Sequence, residues 1–317
     1  MNLALPLVLF CALCTGFANA QTYPSKPIRL IVGIAPGGGL DASTRIVANG
    51  LSKTINQQVL VENRAGAGGT IAAAAVAAAA PDGYTLLYGS TSLMIAPGIY
   101  ENLSFDPVKS FTPVAGTVTD PLLIAVNPNF AARNTAELIA IVKANPGKFS
   151  YGSPGVGTVH HLAMESFKTT VGLSIVHVPY KGSSGYVPDL IAGVLPIAVV
   201  SVAAALPQAK AGKLRVIGIT SPGRLQVAPD WASIADTVPG FDMPSVQFIV
   251  GPAGMQTGVV NRLSEALKTA LALEETKRSF DVAGGVPEHV PPELLAVRIR
   301  DGVPRWAAIA KQSGAQP

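Results

Sequence analysis

Apolar, β-branched runs alternate with longer stretches of helical spacing along almost the whole chain. Ile28 to Ile34 reads as a buried strand and Asp41 to Ile55 as a helix. Val59 to Val61 is a second strand. Gly66 to Gly69 (GAGG) opens a helix through the alanines to Ala80, and Pro81-Asp82-Gly83 turns into a third strand, Tyr84 to Tyr88. The same alternation returns downstream: strands at Leu122–Val126, Phe149–Tyr151, Ile175–Val178, Pro196–Val200, Leu214–Ile219 and Val246–Val250, with a helix at Thr135–Ala144 and another opening at His160. Two or three helices follow between Thr257 and Lys311. Strands separated by helices predict parallel sheets covered on both faces, with ligands at the carboxyl ends of the strands.

Those strand ends share one composition. They are Gly37–Gly39, Asn63–Gly69 and Gly89–Thr91 in the first half, and Gly152–Thr158 and Pro179–Ser184 in the second. Each is rich in Gly, Ser or Thr, and several lead into a helix. Such loops offer backbone N–H groups and positive helix ends to an anion. Val118–Pro121 and Pro244–Gln247 are the expected crossings between two lobes, residues 21–118 with 247–317 and residues 119–246.

Residues 1–20 differ from the rest. They are apolar and uncharged apart from the terminus, and they close on Ala18-Asn19-Ala20, which predicts a cleaved secretory signal and a periplasmic destination. Cys11 and Cys14 are the chain's two cysteines and both fall inside it, so a processed chain has no disulfide, thiol nucleophile or cysteine–metal site.

Of the 317 residues, 13% are charged and 6% aromatic, and the net charge of +4 is scattered. Length and composition suit two folded domains rather than disorder. No basic stripe with stacking aromatics suggests nucleic acid. Gly37 to Ala42 fits a dinucleotide fingerprint, with Glu62 at the ribose position. However, Ala35-Pro36 separates the strand from the first glycine, and Asp41 would face the pyrophosphate. Neither Gly66–Thr70 nor Gly152–Thr158 continues into the Lys-Ser/Thr of a P-loop, and no G-x-S-x-G is present. His160, His161, His177 and His289 form no zinc motif. No catalytic residue, metal or cofactor is expected.

The segments YPSKPIRLIVGIAPGGGLD, VENRAGAGGTIAA, APDGYTLLYGS, YGSPGVGTVHHLA, IVHVPYKGSSG and AGKLRVIGITSPGR occur in this order. From Tyr23 to Trp306 the chain resembles the extracytoplasmic solute-binding proteins of tripartite tricarboxylate transporters, the Bug family. The resemblance implies an α/β, type II periplasmic-binding-protein fold: two α/β lobes with a central ligand cleft. It further implies a receptor, not an enzyme, that captures a small organic carboxylate and delivers it to integral-membrane transporter subunits. A monomer is expected. A sensor feeding a membrane signalling protein, or an enzyme acting on an organic acid, are the other readings.

The matched positions imply a ligand site at Gly37, Gly38, Gly39, Asp41, Ser90, Thr91, Ser153, Gly157, Thr158, His161, Lys181, Gly182 and Ser183. His161 is preferred to His160, and Asp41 is expected to cap its helix or hold a water. Ser201 and Phe248 stand at positions where the chain departs from the family pattern, as does Val200. If Val200 and Phe248 face the cleft, an aromatic or hydrophobic acid is favoured. Independently of that, Thr158→Val should weaken binding through a lost hydroxyl and leave the fold intact.

Overall fold

The computed structural model describes residues 23–243 and 245–315. The signal segment expected over residues 1–20, its two cysteines and Pro244 of the second crossing lie outside the described residues. In the first part of the chain β1 (Ile28–Val32) is followed by α1 (Gly39–Ile55) and β2 (Val59–Asn63). A short 3-10 turn then leads into α2 (Thr70–Ala77), β3 (Thr85–Ser90) and α3 (Thr91–Ile95). Only Pro121 separates β4 (Phe111–Asp120) from β5 (Leu122–Val126). Next come α4 (Thr135–Lys143), β6 (Ser150–Ser153), α5 (Val159–Val171), β7 (Val176–Pro179), α6 (Ser183–Ala192), β8 (Ile197–Ser201), α7 (Val202–Lys210) and β9 (Arg215–Ile219). The last described elements are β10 (Ser245–Pro252), α8 (Thr257–Ala272), α9 (Glu274–Ala283), β11 (Val286–Val290) and α10 (Pro292–Gln312).

These strands build two sheets, ordered β11-β4-β10-β3-β1-β2 and β7-β6-β8-β5-β9. We refer to the halves built on them as the first and second lobe. Period-two alternation sets their faces. Ile28, Leu30 and Val32 pack with α1 and α8, while Ile31 joins the opposite core with Ala72 and Val76 of α2. In β5, Leu122, Ile124 and Val126 face one way, Leu123 and Ala125 the other. Caps fall where local chemistry places them. The Asn134 side chain accepts from the Glu137 N–H at the start of α4, and Asn56 ends α1 in the left-handed conformation that asparagine tolerates.

The sheets are mixed, which corrects the parallel expectation. β1 is parallel to β2 and β3, but β10 runs antiparallel to β3 and β4, and β5 runs antiparallel to β8 and β9. The strands the hydrophobic pattern missed, β4 and β11, each contain a proline. Pro113 and Pro287 sit beside shifts in strand register, where a missing N–H does least damage to the ladder. The long β4 delivers Asp120 to the point where the chain passes from one sheet to the other, and β10 begins its return beside it, Ser245 pairing with Asp120.

The lobes touch on both flanks of the space between them. On one flank the Ala35 N–H donates to the Lys181 carbonyl at 3.3 Å. On the other, the Tyr100 hydroxyl donates to the Val156 carbonyl at 3.0 Å.

Candidate functional site

Between the lobes lies a cavity of about 350 Å³, within the usual span for small-molecule sites. Five helices of eight residues or more begin at its wall. Gly39 and Leu40 open α1, Thr70 opens α2, Thr158 caps α5 and Val159 opens it, Ser183 opens α6, and Ser201 immediately precedes α7 with its hydroxyl making no capping bond. Each places free backbone N–H groups and the positive end of a helix toward one volume. The remaining wall is largely apolar and includes Leu87, Leu93, Phe105 and Val159.

Three buried side-chain oxygens have no hydrogen-bond partner among the described residues: Ser183 Oγ, Ser201 Oγ and Asp120 Oδ1. All three residues line this cavity. A buried hydroxyl or carboxyl without a partner costs about 1–3 kcal/mol, so three in one cavity need an external explanation.

Of the positions expected from the sequence, Gly39, Ser90, Thr158, Lys181, Ser183 and Ser201 line the cavity. Lys181 is exposed at the mouth. Ser90 also caps α3, its Oγ accepting from the Ser92 N–H. The glycines of the first loop serve lobe contact: a Cβ on Gly39 would come within 2.1 Å of Ser201 Oγ, and one on Gly38 within 3.1 Å of Ser183 Oγ. Gly37 and Gly182 sit at the same seam, opposite Ser184 and Ala35 respectively, and do not line the cavity.

Asp41 is turned away from the cavity into a cradle of its own. One oxygen accepts from the Gly37 N–H at 3.0 Å and from Arg45 Nε at 3.0 Å, the other from the Asn63 amide at 2.8 Å. Burial opposes its ionisation, but the hydrogen bonds from Arg45, Asn63 and Gly37 outweigh burial and hold its pKa below the ordinary value. The acid therefore ties the first loop to the end of β2 and needs no ligand. Thr91 is likewise committed, accepting from the Val246 N–H at 3.0 Å.

Ser153 and His161 belong to a buried polar stack under the second lobe's loop. Ser153 Oγ lies 2.7 Å from His177 Nε2, the His177 ring stacks on His161 at 4.0 Å, and Tyr151 stacks on the other side of His177 at 4.8 Å. His161 Nδ1 accepts from the Gly157 N–H, and burial pushes its pKa down to about 4. It is His160, one residue earlier and about 100° around the helix, that lines the cavity, neutral because burial lowers its pKa to about 3. The structure thus places His160, and not the expected His161, on the cavity wall. Gly157 lies beneath Tyr100, leaving room for its ring.

Phe248 and Val200 are core residues. Phe248 is 1% exposed and packs over Gly89, and Val200 joins the core beneath α6 and α7. Neither lines the cavity, so neither makes it more crowded or apolar. The Thr158 hydroxyl accepts from the His161 N–H and donates to the Gly155 carbonyl at 2.8 Å. It is a helix cap, and its removal would touch the fold.

The expected set omits the crossing region. Asp120, Gln247, Tyr88 and Ser245 line the cavity together. The Tyr88 hydroxyl donates to Gln247 Oε1 at 2.9 Å, and Gln247 Nε2 donates to Asp120 Oδ2 at 3.3 Å. Burial raises the Asp120 pKa to about 7. A buried acid at the end of a strand was the available signal, but β4 itself was not legible. Among the described residues no three His, Cys, Asp or Glu side chains gather as a metal site. No described helix is long and apolar enough to cross a membrane.

Two lobes of mixed α/β structure, joined by crossing strands over a cavity lined with helix N-termini, define a solute-binding protein. The chain belongs to the tripartite tricarboxylate transporter receptor family: residues 43–314 match the "Tripartite tricarboxylate transporter family receptor" pattern. A UPF0065 protein of Bordetella bronchiseptica is 37% identical over 291 residues, 92% of this chain and 86% of its own. The periplasmic binding protein BugD superposes with a TM-score of 0.89 at 29% identity, covering 93% of this chain and all of BugD. A Rhodopseudomonas palustris protein, Rpa4515 with adipate, gives the same TM-score, identity and coverage. The fold is therefore the two-lobed α/β periplasmic-binding-protein fold that the sequence implied.

Proposed function

We propose that this chain is a periplasmic receptor that captures a small organic carboxylate between its lobes and delivers it to integral-membrane transporter subunits, without chemical change to the acid. The observation that carries the reading is the gathering of Ser183 Oγ, Ser201 Oγ and five helix N-termini on one cavity, with no arginine in its wall. Such a site suits a carboxylate. Charge-assisted hydrogen bonds contribute about 1.5–3 kcal/mol each and a helix N-terminus about 0.3–1 kcal/mol. Four or five contacts then offset the costs of association and reach micromolar affinity, about −8 kcal/mol. The adipate held by Rpa4515 supports a linear diacid with an apolar middle, which matches polar ends and apolar walls here.

Binding works by closure of the lobe of residues 21–118 and 247–317 on the lobe of residues 119–246. The Ala35–Lys181 and Tyr100–Val156 hydrogen bonds latch the closed form.

A thermal-shift screen of the processed chain against di- and tricarboxylates and aromatic acids tests this. An acid at 100 times its dissociation constant stabilises by about 2.7 kcal/mol. No shift with any carboxylate would sink the reading. Gly39→Ala, whose Cβ collides with Ser201 in the closed form, should abolish most of the shift and leave the unliganded melting temperature nearly unchanged.

A further inference from the structure

The strongest unexplained group in the molecule is Asp120. It is 4% exposed, lines the cavity and has one oxygen, Oδ1, without a partner among the described residues. Among the described residues its surroundings offer no charge to balance an ionised carboxylate. From β3, Tyr88 is held neutral by burial, which raises its pKa. From β10 come Gln247 and Ser245, and from β8 Ser201, all uncharged. From α5 comes His160, neutral as described. Lys181 is out at the mouth. On the exposed side of β4, Glu288 meets the Thr119 hydroxyl and pairs with Arg298, outside the cavity.

The hydrogen-bond chain decides which oxygen can carry a proton. A tyrosine hydroxyl donating to Gln247 Oε1 fixes the amide orientation, so Nε2 donates to Asp120 Oδ2. Oδ2 is thereby an acceptor, and Oδ1 is the oxygen left to bear hydrogen. An anion entering the same enclosed volume would repel an ionised Asp120, as paired carboxylates do.

We propose that Asp120 binds the ligand as a neutral carboxyl, Oδ1–H donating to a carboxylate oxygen of the acid, so that capture takes up a proton wherever the free side chain is ionised. This rests on the carboxylate-receptor reading above. Ser183, Ser201 and the helix N-termini hold one end of the acid, and the Asp120–Gln247 pair receives an oxygen at the crossing strands. The burial of Asp120 supports this independently, since its pKa of about 7 leaves a free carboxyl half ionised near neutrality.

The test is titration calorimetry of the processed chain with adipate, or with whichever acid gives the largest shift in the screen. It is run between pH 6 and 8 in two buffers of different ionisation enthalpy. Affinity should fall about tenfold from pH 6 to pH 8, with uptake of nearly one proton per ligand at pH 8. Asp120→Asn keeps a donor but cannot titrate. Its affinity, whatever its size, should stay level between pH 6 and pH 8 without proton uptake, with a melting profile showing that it is folded. A flat profile without proton uptake in the unmodified chain would overturn the proposal, as would an undiminished pH dependence in Asp120→Asn. If no acid binds at any pH, the receptor reading itself fails and takes this proposal with it.

Discussion

Asp41 and Asp120 are both buried acids near the same cleft, 3% and 4% exposed, and they behave in opposite ways. Asp41 is saturated: a backbone N–H, an amide and a guanidinium converge on it, and its pKa falls. Asp120 has a single weak amide donor and an empty oxygen, and its pKa rises to about 7. The difference shows how little burial says by itself. A carboxylate with matched donors holds loops together; one without them is left for something that is not part of the chain.

The largest effect that would break the contrast is at Asp120. Its raised pKa means the folded chain keeps a proton that the unfolded chain releases above the ordinary value of 3.8. Its contribution is therefore most favourable below about pH 4 and is lost as pH rises through 7. Asp120→Asn should stabilise the unliganded chain at pH 8 by about 4 kcal/mol, at about 1.4 kcal/mol per unit of pKa, and the gain should vanish near pH 4. Chemical denaturation at the two pH values measures it; equal effects at both would remove the contrast.

Asp41→Ala comes next and has the opposite sign. It strands the Gly37 N–H and the Asn63 amide, and should destabilise by about 2–3 kcal/mol. Because the Asp41 pKa is lowered, that contribution is present above the ordinary carboxylate range and is lost as pH falls through the folded value. A loss under 1 kcal/mol in urea unfolding at pH 7 would show that the cradle is not holding the loop. The smallest effect is at Thr158, whose hydroxyl caps α5 at the edge of the cavity. Thr158→Val should lower stability by about 1 kcal/mol, read as a reduced denaturation midpoint; an unchanged midpoint would return this hydroxyl to the ligand.

Much of both lobes was legible. β1, α1 and β5 follow directly from runs such as Ile28–Val32 and Leu122–Val126, whose side chains are buried almost throughout. β4 and β11 were hidden by Pro113 and Pro287, because a strand that carries a proline at a register shift loses the pattern that identifies it. In the site, glycine and hydroxyl loops pointed to the right strand ends, but spacing could not tell a free hydroxyl from a spent one. Among the described residues the Ser183 and Ser201 hydroxyls have no partner, whereas the Ser153 hydroxyl is bonded to His177.

The sequence by itself determined the order of most elements, the family, and the glycine-rich loops that lead into helices, since each depends on residues close together along the chain. Only the tertiary structure decided that His160 rather than His161 meets the cavity, that Phe248 belongs to the core, and that Gly39 is needed for the approach of Ser201. It also placed Asp120 beside Gln247, 127 residues apart in the chain. Hydrogen bonding and desolvation are settled by whichever atoms fold into contact, and for these side chains those atoms come from the other strand or the other lobe.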